Sequence, residues 1–143
     1  MAVTQLSVFL ENKPGMLADT MRLISTAGVN IRALSLADTK DFGILRVIVS
    51  DAAKAKAVLS QKLIVSETDV IAAEMNDEAG ALAGILDVLA DAAINVEYLY
   101  AFTGSKAESA YVVLRVDDVL HAEAVLAGEN VPMLTGPELM EIF

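Results

Sequence analysis

Two carboxamides and a glycine turn occupy the positions of this sequence best suited to hold a small molecule. Asn12-Lys13-Pro14-Gly15-Met16-Leu17 sets a turn signal directly ahead of Leu17, Met21 and Ile24. Those three recur at i, i+4 and i+7, the spacing of one helix face. A turn that feeds a helix N-terminus presents unpaired backbone N–H groups at the positive end of the helix dipole, which suits a carboxylate. Gly15 lets the backbone approach closely and Pro14 stiffens the entry. Asn12 both donates and accepts, as a group carrying an ammonium and a carboxylate would require. Asn30, in Gly28-Val29-Asn30-Ile31, opens an apolar strand despite the poor strand propensity of Asn. Capping of the turn out of the helix gives Asn30 an equally good structural reason.

The same pattern returns 65 positions later. Gly80, Leu82 and Ala83 match Gly15, Leu17 and Ala18, and Asn95 matches Asn30. The second turn reads Asp77-Glu78-Ala79-Gly80, so Pro14 has no counterpart and two carboxylates stand where the first turn has Asn12 and Lys13. At an effective dielectric of about 20, one like-charge contact at roughly 4 Å costs on the order of 4 kcal/mol before relaxation. An arriving carboxylate is therefore disfavoured there, whereas Asp77 could hold an ammonium.

Composition removes several chemistries. There is no cysteine and one histidine, His121, so thiolate nucleophiles, thiolate metal sites and imidazole pairs are excluded. No carboxylate or hydroxyl is placed to form a triad with His121. A net charge of −10 argues against a phosphate backbone as partner. Residues 1–68 carry eight Lys+Arg against six Asp+Glu, and residues 69–143 carry two against fourteen, so the acidity lies in the second half. Apolar runs fall short of the roughly 18 residues of a membrane span, and no charged-then-apolar leader precedes Gln5. The expectation is a cytoplasmic protein without catalytic residues, cofactor or metal.

The elements that would position the turns follow from periodicity. Leu6, Val8 and Leu10 alternate with Gln5, Ser7 and Phe9 as in a strand. A helix follows the first turn, with Gly28 as its left-handed C-terminal cap. Strands over Val29–Ala37 and Ile44–Val49 flank a polar turn at Asp38–Asp41. Asp51 caps a second helix with Ala55, Val58 and Leu59 inward, and Leu63-Ile64-Val65 reads as a short strand. The second half repeats this order: a strand at Val70–Met75, a helix from Gly80, strands at Ile94–Phe102 and Ala110–Val116, and a helix capped by Asp118. Asp118 follows Asp51 by 67 positions, which puts a two-residue insertion in the hairpin at Thr103–Glu108. Ala93 replaces Gly28 at the equivalent helix exit. The reading is α+β: two ferredoxin-like βαββαβ units, residues 1–68 and 69–143, each an antiparallel sheet with both helices on one face.

Asn12-Lys13-Pro14-Gly15-Met16-Leu17 followed by Gly28-Val29-Asn30-Ile31 resembles the signature of the ACT domain, a βαββαβ regulatory module best known for binding free amino acids. The repeat extends the resemblance, to a stand-alone pair of ACT domains, over nearly the whole chain. It implies ligand sites at interfaces between ACT units, where the glycine turn of one meets a strand or helix of another. In serine-binding members, Asn at the positions of Asn12 and Asn30 contacts the ligand. Leu10 stands where some members place a polar histidine, so the identity of the amino acid does not carry over. The ligand set expected is thus Leu10, Asn12, Lys13, Pro14, Gly15, Met16, Leu17 and Asn30, with Asp77, Gly80, Ala81, Leu82 and Asn95 from the second repeat. The first turn is expected to carry the stronger site and the second mainly structure or a wall.

Other readings of the sequence are weaker. Phe42-Gly43-Ile44-Leu45 lies on the strand that carries the aromatic motif in an RNA-recognition domain, but Ile44 and Val47 stand where stacking aromatics belong. A small ferredoxin-like enzyme would need an acid, base or nucleophile that these residues do not assemble. A pairing module without ligand shares every structural feature. Tyr98, Tyr100 and Phe102 share one strand face, either as packing or as the wall of an apolar pocket. The function expected is a regulator that senses a free amino acid and signals to a regulated enzyme. A homodimer or higher homo-oligomer is expected from exposed strand edges and helices, with neither nucleic acid nor membrane as partner.

Overall fold

The computed structural model describes residues 2–38, 41–104 and 106–142. The turn read at Asp38–Asp41 includes residues 39 and 40, and the hairpin insertion includes residue 105; these lie outside the described residues. Two compact units are present, Thr4–Thr68 and Asp69–Phe143, with Met1–Val3 grouped with the latter. The elements in order are β1 (Val3–Glu11), α1 (Met16–Thr26), β2 (Ile31–Asp38), β3 (Phe42–Val49), α2 (Ala52–Leu59), β4 (Ile64–Asn76), α3 (Ala81–Asp91), β5 (Val96–Thr103), β6 (Ser109–Val116), α4 (Val119–Gly128), β7 (Met133–Leu134) and α5 (Gly136–Glu141). No helix among the described residues is long and apolar enough to cross a membrane.

In the first unit the strands run β2-β3-β1-β4, with β1 and β2 both antiparallel to β3. Leu6, Val8 and Leu10 of β1 and Leu45, Val47 and Val49 of β3 form the face that α1 and α2 cover. Ile24, Ala55 and Leu59 enter that core from the helices, as the inward stripes read from the sequence require. The opposite face of β1 is less simple than alternation suggests: Gln5 and Ser7 are buried and hydrogen-bonded to each other, while Phe9 is exposed.

The second unit repeats the plan with β5-β6-β4 and adds β7 against β4, through Ala72↔Leu134 and Ala73↔Met133. Ile71, Ala73, Val112, Leu114 and Val116 meet Ile85, Leu89, Ala122 and Leu126. The β5–β6 pairing shifts register between Val96 and Tyr98, as β2–β3 does between Ile31 and Ala33, so both repeats carry the same irregularity just after their Asn.

Two features depart from the sequence reading. The strands read separately at Leu63–Val65 and Val70–Met75 are one strand, β4, because pairing in the sheet overrides the local turn preference of Ser66 and Asp69. The second addition is the C-terminal pair β7 and α5. Thr135 and Glu138 form a reciprocal capping box with a proline in the first turn, which starts α5 although it is only six residues long.

Helix boundaries show where backbone conformation is specified. Asp51 accepts from the Lys54 amide and Asp118 from the His121 amide, each at 3.1 Å, so both second helices have the expected cap. Gly28 leaves α1 at φ 76°, and Ala93 leaves α3 at φ 58°. A β-carbon in that left-handed region costs about 1 kcal/mol. Ala93→Gly is therefore expected to stabilise the protein by up to about 1 kcal/mol, and Gly28→Ala to destabilise it by a similar amount. Urea unfolding followed by circular dichroism measures both, with opposite shifts of the midpoint as the expected outcome.

Candidate functional site

The two turns adopt the same backbone. Asn12 N–H donates to the Asp41 carbonyl at 3.0 Å, and Asp77 N–H to the Glu108 carbonyl at 2.8 Å. Each bond ties the strand-to-helix turn to the hairpin between the next two strands. Within the turns, Lys13 N–H bonds Glu11 O and Met16 N–H bonds Lys13 O, while Glu78 N–H bonds Asn76 O and Ala81 N–H bonds Glu78 O. Gly15 (φ 87°, ψ −17°) and Gly80 (φ 90°, ψ −13°) then stand at the helix N-caps in left-handed conformation, without a side-chain cap. A β-carbon on either would meet nothing within 4 Å, so glycine serves conformation here and not space.

A left-handed cap residue brings no capping hydroxyl or carboxylate, and this leaves donors open. The amides of Gly15, Leu17 and Ala18, and those of Gly80, Leu82 and Ala83, find no acceptor among the described residues. They open to solvent at the positive end of their helix.

The side chains expected at the first site distribute around this turn. Asn12, Lys13 and Pro14 are exposed, and the Lys13 ammonium lies 3.2 Å from the Glu11 carboxylate. Met16 and Leu17 are half-buried, Leu17 against the core. Leu10 is fully in the core with 2% of its surface exposed, so it shapes the turn from below. Asn30 sits at the far end of α1, whose 11 residues span roughly 16 Å. Its amide donates to Ser50 Oγ at 2.9 Å, and Ser50 N–H returns to the Asn30 carbonyl at 2.8 Å. One unit therefore does not bring Asn12 and Asn30 together.

The second repeat preserves the geometry and changes the charge. Asp77, Glu78 and Gly80 are exposed, and Ala81 and Leu82 half-buried. Asn95 N–H donates to Asp117 Oδ1 at 3.1 Å, and Asp117 N–H returns to Asn95 O at 3.2 Å, so Asn95 serves as a structural latch as Asn30 does. Beside the turn lies a cleft of about 600 Å³ whose lining includes Glu74, Glu78, Ala81, Lys106 and Glu108. At the matching first-repeat positions stand Phe9, Lys13, Met16 and Asp41, and Lys106 belongs to the inserted hairpin. Lys106 Nζ meets Glu74 Oε1 at 2.9 Å. That hydrogen bond holds the Glu74 carboxyl below its ordinary range against the opposing effect of partial burial, and Ser109 adds a further bond.

The sequence reading assigns no role to Asp41 and Glu108, whose carbonyls fasten the turns, or to Ser50 and Asp117, whose side chains latch Asn30 and Asn95. Both pairs are separated by 67 positions, so the repeat register alone could have shown them. Tyr98, Tyr100 and Phe102 are half-buried on one face of β5, with Phe102 stacked on Tyr111 at 5.4 Å. His121 is exposed on α4. No group of three or more His, Asp or Glu among the described residues could hold a metal ion.

Two βαββαβ units that each aim a glycine turn and open amides at solvent define a paired ferredoxin-like module. Residues 1–143 match the family model described as an ACT domain pair, and the chain belongs to that family of regulatory domains. The chain is similar to protein BT0572 from Bacteroides thetaiotaomicron, at 36% identity and TM-score 0.92 over 99% of this chain and 97% of that one. It shares its fold with the regulatory subunits of aspartate kinase from Thermus thermophilus (14% identity, TM-score 0.67) and Thermus flavus (14%, 0.65), each over 89% of this chain and 90% of theirs. No curated protein matches it.

A depressed carboxyl adds stability above its unfolded pKa of about 4.3 and loses it as pH falls through the folded value. Wild-type stability is accordingly expected to fall more steeply below about pH 4.3 than that of Glu74→Gln. Chemical denaturation between pH 3 and 7, on the order of one titration each side, checks this; superimposable acid limbs would remove Glu74–Lys106 as the cause.

Proposed function

We propose that this ACT domain pair senses a free amino acid and reports it to a regulated protein by changing its own assembly. The observation that carries the reading is where the first unit puts its two carboxamides. Asn30 opens β2, and Asn12 is fastened by its amide to Asp41, beside the closing end of β2. Strand β2 is the outer strand of its unit, and the large side chains of Leu34 and Leu36 on it are about half exposed (49% and 46%). An edge strand of this kind is a template for pairing.

Antiparallel pairing of β2 with β2 of a second copy sets the opening of one strand beside the close of the other. Asn30 of each copy then approaches Asn12 of its neighbour, which makes two symmetric sites per dimer. In each, the amides of Gly15, Leu17 and Ala18 receive the carboxylate, and the carboxamide oxygens of Asn12 and Asn30 accept from the ammonium. A ligand gripped by both copies binds the dimer and not the monomer, so it shifts that equilibrium by mass action. In the second repeat Glu78 and Glu108 oppose an incoming carboxylate, and Asp77 suits the ammonium end. The first site is therefore the tighter one.

Thermal-shift screening of the free amino acids, followed by calorimetry on the hit, tests this. A true ligand at a hundredfold excess over Kd stabilises by about 2.7 kcal/mol. Asn12→Ala and Asn30→Ala should each weaken binding about tenfold, corresponding to about 1.4 kcal/mol for a lost charge-assisted hydrogen bond. A flat screen would favour an ACT pair that assembles without ligand, and turnover of any added metabolite would favour an enzyme.

A further inference from the structure

Each unit has a groove beside its first helix, bounded in the first unit by α1 and the segment leading from α2 into β4, and in the second by α3 and α4. The two grooves are alike in size and opposite in charge. In the first, of about 460 Å³, Met16, Leu23 and Leu63 form an apolar floor, with Arg22, Lys62 and Asp19 at the rim. In the second, of about 480 Å³, Val88, Ala92 and Val125 form the floor and Asp87, Asp91 and Glu129 the rim. The grooves share four matched positions, Arg22, Leu23, Thr26 and Lys62 in the first and Asp87, Val88, Asp91 and Glu129 in the second. Asp87 replaces Arg22 and Asp91 replaces Thr26 at the 65-residue offset, and Glu129 replaces Lys62 at the 67-residue offset. Asp19, the one acid of the first rim, becomes Gly84.

The reversal reaches the neighbouring helices. Lys54 and Lys56 of α2 become His121 and Glu123 of α4. Asp19 bonds Arg22 at 3.0 Å with both side chains well exposed, so a guanidinium with five donors keeps most of them for another partner. Rim charges in both grooves are exposed, and the floor residues are only half-buried.

We propose that the helix groove of the first unit in one copy docks onto the helix groove of the second unit in another copy. Two identical grooves brought together would oppose like charges, which disfavours the symmetric pairing of either groove with itself. Only first against second places Arg22 and Lys62 opposite Asp87, Asp91 and Glu129 while the two apolar floors leave water together. The contact is heterologous and lies on the helix layer, away from the outer edge of β2. It is thus separate from the ligand-binding dimer of the preceding reading and does not require it. Its electrostatic part acts in a molecule whose overall charge is −10, so local complementarity must outweigh general repulsion.

Sedimentation velocity on the full chain at about 50 mM and 500 mM salt, where the Debye length falls from roughly 14 to 4 Å, reads the contact directly. Wild type should show an added association step at low salt that weakens at least tenfold at high salt. R22D/K62E, with two acidic grooves, and D87R/E129K, with two basic ones, should each lose that step, and R22Q/K62Q should weaken it. Mixing the two charge-reversed proteins should restore it, because an acidic groove then meets a basic one. Circular dichroism establishes that each variant is folded. A wild-type protein with no such step, variants that associate as wild type does, or a mixture that stays unassociated would each overturn the proposal.

Discussion

The hydrogen bond from a turn amide to a hairpin carbonyl, Asn12 to Asp41 and again Asp77 to Glu108, is the constraint on which the rest of each turn depends. It fixes the strand-to-helix turn against the following two strands, so the helix starts at a defined height above the sheet. Gly15 and Gly80 complete the turn in a conformation that other residues adopt only at a cost. Because that conformation supplies no capping side chain, the first amides of α1 and α3 stay available. A serine or aspartate cap would have satisfied one of them internally, as Asp51 and Asp118 do at the second helices. The geometry that makes the turn possible is the same geometry that keeps its donors free for an external acceptor.

The two repeats separate what this backbone requires from what a ligand would require. Kept in both are the left-handed glycine, the Leu-Ala pair that follows it, the latch on Asn30 and Asn95, the register shift after it and the aspartate caps of the second helices. Each of these has a local structural explanation. What differs is charge: Asn12 and Lys13 become Asp77 and Glu78, Arg22 becomes Asp87, and Lys62 becomes Glu129. None of those positions is in the core, so packing does not decide them. Their chemistry is free to follow whatever the surface must meet.

Much of this was legible in the sequence because it rests on local rules. Leu6, Val8 and Leu10 declared the buried face of β1, Gly28 the left-handed exit of α1, and Asp51 and Asp118 the helix caps, since each depends on neighbours within a few residues. The repeat then transferred these assignments to the second half, including the strain at Ala93. Features set by distant residues were harder to see. The merging of two short strands into β4 depends on partners on either side, and nothing local distinguishes an extended polar segment from a loop. Strand β7 is two residues long and exists only because β4 offers it an edge. The roles of Asp41 and Glu108 reside in their carbonyls, which carry no residue-type signature.

Distance within the unit decides how the candidate site must be built. Resemblance pairs Asn12 with Asn30, yet α1 separates them by roughly 16 Å, and Asn30 is fastened to Ser50 and Asn12 to Asp41. Neither turn can swing to the other without breaking the bond that defines it. If both carboxamides touch one amino acid, each must come from a different ACT unit, and the ligand becomes part of an interface. A small zwitterion then contributes free energy to association that no monomer can collect, so sensing and assembly are one equilibrium. That coupling needs no hinge, lid or change of fold. It requires only that the turn be rigid before the ligand arrives, and the bond from Asn12 to Asp41 supplies that rigidity.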